Sequence, residues 1–146
     1  MKKTHIVGLA MILAMASCSH KPVTMDSVDS SFRANATAYI EAMANYDIAS
    51  ARPHATEETN NVTLNYFDKA MEMLEDSTFI QQNTPAVIRY DSIVFTSDTS
   101  ATVYYNKQTP IQNANATLGM RLRNGEWLAH QVIDTRIRIS GSPAKQ

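Results

Sequence analysis

The fold of this chain is decided by residues 114–133, which read ANATLGMRLRNGEWLAHQVI. Apolar and polar side chains alternate on both sides of the dipeptide Asn124-Gly125, a pattern typical of strands that bury one face. Asn-Gly suits the two positive φ angles of a type I′ turn. The stretch therefore predicts an antiparallel hairpin with a two-residue loop.

A two-residue loop also sets the register of this hairpin, because each residue of one strand then has a defined partner on the other. The inner face is nearly all apolar, with Leu122 opposite Trp127, and Gln131 is directed inward beside Leu118. The outer face is mixed and basic. The other expected inner pairs are Met120–Ala129 and Ala116–Ile133, and the outer pairs are Arg123–Glu126, Arg121–Leu128, Gly119–His130 and Thr117–Val132, followed on the same parity by Arg136 and Arg138.

Beyond this hairpin, apolar residues recur every second position in much of the second half of the chain, as in strands. In the first half they recur with the spacing of an α-helix. Strands are predicted at residues 86–96, 99–106, 114–123 and 126–139. Helices are predicted at residues 29–45, at a short segment that Asp47 caps and Pro53 ends, and at residues 59–76. The fold class is therefore α+β, with three N-terminal helices packed on a four-stranded antiparallel sheet. The third helix carries a core stripe of Leu64, Phe67, Met71 and Leu74.

The N-terminal residues have the features of an export signal. Lys2 and Lys3 precede an apolar run at residues 6–16, which is well short of the roughly 20 apolar residues that a membrane-spanning helix needs. Residues 13–18, LAMASC, resemble the lipobox of bacterial lipoproteins. The resemblance implies cleavage before Cys18, lipid attachment to Cys18 and, with Ser19 next, an outer-membrane location on the periplasmic side.

Composition limits what the remaining chain does. Cys18 is the only cysteine, so no internal disulfide supports the fold. Without Lys2 and Lys3 the 13 basic side chains become 11 against 14 acidic ones, and a weakly acidic domain is a poor candidate for binding nucleic acid. The expected organisation is a signal peptide at 1–17, a lipidated cysteine and polar tether at 18–28, one domain at 29–139 and a disordered tail at 140–146.

The order of elements, together with the motif Gly125-Glu126-Trp127 and the segment Tyr46-Asp47-Ile48-Ala49, resembles the nuclear transport factor 2-like (cystatin-like) superfamily. The resemblance covers residues 30–139. It implies a curved sheet wrapped around a long helix, an α+β roll with a conical pocket. Because this superfamily contains isomerases, dehydratases and non-catalytic binding domains, the resemblance predicts a shape rather than an activity.

Within such a pocket, the most informative polar residue is Gln131, since a buried amide needs hydrogen-bond partners. Either it binds the backbone at a helix end, or it marks the polar point of a ligand pocket. The walls of that pocket would then be Trp127, Tyr39, Tyr90 and Tyr105.

The alternative function is a proton-transfer enzyme of the isomerase or dehydratase type, which would use Asp91 or a pair of tyrosines in the cone. The other strand acids are excluded, since Asp98 lies in a turn, Glu126 pairs with Arg123 outside, and Asp134 shares the outer parity. No catalytic residue, metal site or cofactor is assigned.

We therefore expect a non-catalytic module of the cell envelope that binds a small apolar ligand or another envelope protein. The outer sheet face, with Leu128, His130 and Val132, also suits contacts in a homodimer. Ser27, Ser77 and Ser92 each follow an aspartate and precede a residue that matches an O-glycosylation pattern of some envelope proteins. Such three-residue matches arise readily by chance.

Overall fold

The computed structural model describes residues 21–74 and 78–134. Cys18 with the predicted export signal, Ser77, Arg136, Arg138 and the predicted tail at 140–146 lie outside the described residues. Across the described ranges, no helix is both long and apolar enough to cross a bilayer.

The second half of the chain forms an open antiparallel sheet in which the four strands lie in chain order. Strand β1 is joined to β2 by the turn that contains Asp98, and β3 is joined to β4 by Asn124 and Gly125. With the helices of the first half, this confirms the predicted α+β class. The strands are β1 (Val87–Ser97), β2 (Ser100–Gln108), β3 (Asn113–Arg123) and β4 (Glu126–Ala129).

The central hairpin has the predicted turn. Asn124 and Gly125 have φ angles of 52° and 80°, as a type I′ loop requires. The four predicted pairs next to the turn are confirmed, and the N–H of His130 donates to the carbonyl of Gly119 at 2.8 Å to extend the pairing by one step.

The prediction that the last strand runs to residue 139 is wrong for residues 130–134, because the chain leaves the sheet after His130. Two backbone N–H groups then turn to buried hydroxyls: Gln131 donates to Thr59 Oγ1 and Ile133 to Thr63 Oγ1, each at 3.0 Å. We call Thr56, Thr59 and Thr63 the threonine row. These two N–H groups lie on the edge away from β3, because Gln131 and Ile133 alternate with His130, whose N–H faces β3. The hydroxyls thus hold the chain after His130 against Thr59 and Thr63, beyond the end of its pairing with β3.

The first predicted helix is α1 (Ser30–Ala44), and the side chain of Asp29 caps it by accepting from two backbone N–H groups. The second is α2 (Ile48–Ala51), capped by Asp47. The third differs from the continuous helix predicted at 59–76, because it begins with a wide π-helical turn that carries two members of the threonine row. One further helix, which follows it, was not predicted. These are the π turn (Thr59–Leu64), α3 (Asn65–Glu72) and α4 (Thr78–Asn83), and single 3₁₀ turns occur at Met25–Ser27 and Arg52–His54.

Helix α1 ends in a Schellman motif, with Asp47 N–H donating to Ala42 O at 2.8 Å and Tyr46 N–H to Met43 O at 3.2 Å. The C′ position of this motif favours glycine, yet it holds Tyr46 at a φ of 61°. The Tyr46 ring packs edge-on against Phe79 of α4, so this unusual residue joins two helices.

The core lies between α1 and the sheet. At the hairpin end, the rings of Phe32, Phe95 and Trp127 pack against each other with centroids 5.2–5.6 Å apart. At the other end of α1, Tyr39 and Ile40 are almost fully buried. This layer holds one face of the sheet against the helices.

Residues 23–28, which the sequence assigns to the tether, contact the domain. Val23 and Ile93 exchange two backbone hydrogen bonds of 2.9 and 2.8 Å at the edge of β1. Val28 is part of the core, and the Arg33 guanidinium donates to the carbonyls of Met25, Asp26 and Val28. The chain is therefore held against the fold five residues after Cys18.

Candidate functional site

A small cavity opens where β3 and the chain after His130 separate. It measures about 140 Å³ and lies between α1, α3, β2 and β3. We call it the inner opening. Its lining is half apolar and half polar and comprises Met43, Ala44, Phe67, Tyr105, Lys107, Ala116 and Gln131.

Gln131 lies at this opening with its side chain on the helix side of the sheet, as predicted, but the residue is exposed rather than buried among apolar neighbours. Its backbone N–H donates to Thr59 Oγ1, which holds this residue beside the opening. The buried Tyr39 hydroxyl donates to Gln131 Oε1 at 3.1 Å. With that oxygen occupied, the amide nitrogen is the group that Gln131 can offer to a ligand.

The other predicted pocket residues lie in different places. Tyr105 lines the inner opening and is directly opposite Tyr90 in the β1–β2 pair. Tyr90 donates from its hydroxyl to Glu41 Oε1 at 3.3 Å. Trp127 belongs to the buried aromatic cluster at the hairpin end.

Asp91, the candidate acid or base, is exposed at a β-bulge in β1. It lines a second cavity of about 240 Å³ with Tyr104 and Thr117, a directly opposed pair of exposed residues on the face away from the core. This placement is unfavourable for proton transfer in a cone between sheet and helices.

The tyrosines are also poorly suited to proton transfer. Burial is the main cause that raises the pKa of Tyr39, Tyr90 and Tyr105, with Glu41 adding to the effect at Tyr90. A general acid or base works best with a pKa near the working pH. These hydroxyls therefore stay protonated and act as hydrogen-bond donors.

The largest of the cavities described lies on the other side of the hairpin, where the sequence predicts the mixed outer face. It measures about 580 Å³ and contains both basic side chains of β3. We call it the outer pocket. It is lined by Glu58, Thr99, Arg121, Leu122, Arg123, His130 and Val132.

The pairing of charges in the outer pocket differs from the expectation. Arg123 lies opposite Glu126 in the register, but its guanidinium binds Glu58 Oε1 at 3.1 Å. Glu126 instead accepts from the side chain of Asn35, which also donates to the backbone of Trp127. The sequence shows these charges but not which distant acid reaches Arg123.

Within residues 21–74 and 78–134, no group of three or more His, Cys, Asp or Glu side chains is placed so that it could hold a metal ion. Two of the histidines are engaged by hydroxyl or amide oxygens. His54 Nδ1 lies 2.7 Å from Asn35 Oδ1, and His130 Nδ1 lies 3.0 Å from Thr56 Oγ1.

Lys107 is a site residue that the sequence reasoning missed. It shares the parity of Tyr105 on β2, so the period of two alone could have placed it at the same cavity.

No family model, curated protein or solved structure matches this chain.

Proposed function

We propose that this chain is a lipoprotein of the bacterial cell envelope, anchored through Cys18 to the periplasmic side of the outer membrane, with a nuclear transport factor 2-like domain that binds a small ligand without catalysis. The lipobox-like segment at residues 13–18 supports the anchor. The inner opening supports ligand binding, because apolar walls with a few convergent polar groups are typical of such sites.

The single observation that carries ligand binding is the hydrogen bond from Tyr39 to Gln131 at the rim. It holds the amide in place, while Met43 and Phe67 supply apolar surface. The Lys107 ammonium adds a positive charge beside them. A small amphipathic molecule with an acceptor or carboxylate at one end fits this arrangement.

The opening also limits the size of that ligand. Its 140 Å³ is below the roughly 300–1,000 Å³ of pockets that enclose drug-sized molecules. The ligand is therefore a short-chain compound, or one end of a longer molecule.

The anchor is tested by substitution of Cys18, the only cysteine. In a Gram-negative host fed an alkyne analogue of palmitate, the full-length chain is expected to carry the label and Cys18→Ala to carry none, because lipidation requires the thiol. In-gel fluorescence after coupling a dye gives the readout. Equal labelling of both proteins would contradict the proposal.

Ligand binding is tested with hexanoate and 1-hexanol as probes, added to the full-length chain in an uncharged detergent and followed by amide chemical shifts. Hexanoate is expected to bind more tightly because of Lys107. Gln131→Ala is expected to weaken both probes about five- to tenfold, the effect of one lost hydrogen bond.

The matched control is Gln82→Ala, which removes the same side chain from an exposed position on α4. It is expected to leave both affinities unchanged. Equal affinities for Gln131→Ala and Gln82→Ala, or shifts that do not include Ala116 and Gln131, would refute binding at the inner opening.

A further inference from the structure

The outer pocket contains more positive than negative groups. Two guanidinium groups, Arg121 and Arg123, lie two residues apart on β3 and therefore share one face of the strand. The imidazole of His130 lies beside them, and Glu58 is the one carboxylate in the lining. The cavity is thus a concave surface with an excess of cationic hydrogen-bond donors.

Glu58 does not neutralise both arginines. Its carboxylate binds Arg123 at 3.1 Å. Hydrogen bonding to its own backbone N–H, followed by the charges of Arg123 and His130, lowers the pKa of Glu58, so it is ionised at neutral pH. Because this carboxylate is engaged with Arg123, the charge of Arg121 remains uncompensated within the part of the chain that the structure describes.

Arg121 is held in place by one contact and keeps its other donors. Its Nη1 donates to Ser100 Oγ at 2.6 Å, which fixes the guanidinium beside the start of β2. The backbone of Leu122 donates to Thr99 O at 2.9 Å and ties the β1–β2 turn to the same wall. A positioned guanidinium loses little freedom when it binds a planar or tetrahedral oxyanion.

The imidazole of His130 is held in place by the threonine row. Its Nδ1 contacts Thr56 Oγ1 at 3.0 Å, and Thr56 Oγ1 in turn contacts Thr59 Oγ1 at 2.8 Å. Nε2 makes no hydrogen bond within the described residues. Burial, and then the positive charges of Arg121 and Arg123, lower the pKa of His130, while Glu58 opposes this. The imidazole therefore lies in a positive field.

We propose that the outer pocket binds a phosphate group carried by an organic molecule, with Arg121, Arg123 and His130 as donors. Three donors from two segments suit the tetrahedral arrangement of phosphate oxygens, in a monoester or a diester, better than the two coplanar oxygens of a carboxylate. The cavity of 580 Å³ is larger than the anion, and Leu122 and Val132 add apolar surface for the organic part.

Two sources share this chemistry, a phospholipid headgroup and a soluble phosphate ester. They are compared by titrating the full-length chain, in an uncharged and phosphate-free detergent, with dihexanoylphosphatidylglycerol and with phenyl phosphate. Calorimetry gives each affinity. Tighter binding of the lipid assigns the headgroup, tighter binding of phenyl phosphate assigns a soluble ester, and binding of neither probe would overturn the proposal.

Three substitutions then locate the binding. Arg121→Gln is expected to weaken the tighter probe at least about tenfold, because a charge-assisted hydrogen bond is lost. Glu58→Gln is expected to strengthen it about threefold, because it releases Arg123. Arg89→Gln, which removes the same charge from an exposed position on β1, is expected to have no effect.

If Arg121→Gln and Arg89→Gln bind equally well, the site is not the outer pocket. Tighter binding by Glu58→Gln is a control for misfolding, because a general loss of structure could weaken the binding of a variant but could not strengthen it. Weaker binding by Glu58→Gln would overturn the proposal as well.

The role of His130 is tested by pH with dihexanoylphosphatidylglycerol, a phosphodiester whose charge is constant near neutral pH. In the free protein His130 is neutral at pH 7.5, because its pKa is lowered. Protonation adds a positive charge beside the phosphate, so affinity is expected to rise as the pH falls from 7.5 to 5.5. His130→Gln is expected to remove this rise, and a rise that persists in the variant would overturn the assignment of His130.

Discussion

Phe32→Ala is expected to lower the free energy of unfolding by about 3–5 kcal/mol, the usual range for removing a buried aromatic ring. Phe32 is 1% exposed, and its ring lies 5.2 Å from that of Trp127 and 5.6 Å from that of Phe95, measured between centroids. Alanine would leave a cavity between α1 and the sheet, because backbone elements on both sides hold it open. Chemical denaturation followed by circular dichroism measures the change.

The matched control is Phe79→Ala, the same substitution on α4. Phe79 is 48% exposed, and its ring contacts Tyr46 at a centroid distance of 5.7 Å. Its replacement is expected to lower the free energy of unfolding by about 1 kcal/mol, the contribution of an aromatic pair with little burial. A loss in Phe32→Ala no larger than in Phe79→Ala would show that the aromatic cluster is not the centre of the core.

Gly119→Ala is expected to lower the free energy of unfolding by about 3 kcal/mol, at the upper end of the usual range for overpacking. A Cβ atom at this position would lie 2.7 Å from the backbone carbonyl oxygen of His130. Backbone on both sides prevents simple rotation away from the clash. The strand must therefore shift, and the hydrogen bond from His130 N–H to Gly119 O is lost or lengthened.

Gly125→Ala separates this clash from the general effect of replacing glycine. A Cβ there meets no atom within 4 Å, but the residue has a φ of 80° that disfavours alanine. We expect a loss of about 1 kcal/mol from backbone strain. Thermal unfolding of both variants gives the comparison, and a larger loss in Gly125→Ala would mean that β3 and His130 are not in close contact.

The hairpin could be predicted from the sequence because its determinants are local. Asn124-Gly125 sets the loop, and the alternation of side chains on either side sets the register of the adjacent pairs. The first helix was predicted for the same reason, since Asp29 caps a clear apolar stripe. Such features need no knowledge of distant residues.

The end of β4 could not be predicted, because it depends on partners about 70 residues earlier in the chain. Residues 126–133 alternate as a strand would, and nothing local shows that the hydroxyls of Thr59 and Thr63 bind the backbone N–H groups of Gln131 and Ile133 on the edge away from β3. The contact with Thr59 also places Gln131 beside the inner opening. The position of the candidate site thus follows from a long-range contact that periodicity does not contain.

The ends of the helices illustrate the same limit. The end of α1 was predicted to within one residue, but sequence rules expect glycine at the C′ position of the Schellman motif, where this chain has Tyr46. Packing of the Tyr46 ring on Phe79 stabilises the positive φ angle, and α4 was not predicted at all. In the outer pocket, Arg123 likewise forms its ion pair with Glu58 and not with Glu126, its partner in the β3–β4 register.

With the lipid anchor proposed for Cys18, the contact between Val23 and Ile93 has a consequence for copies of the protein that would share one leaflet. Lipid-anchored molecules diffuse in two dimensions, where their local concentration is high, and an open strand edge is a template for edge-to-edge association. The segment that leads to Cys18 occupies the edge of β1 at Ile93. The bulge at Asp91 disrupts the edge just beside it. Residues 23–28 thus leave less of the β1 edge open for edge-to-edge association between copies.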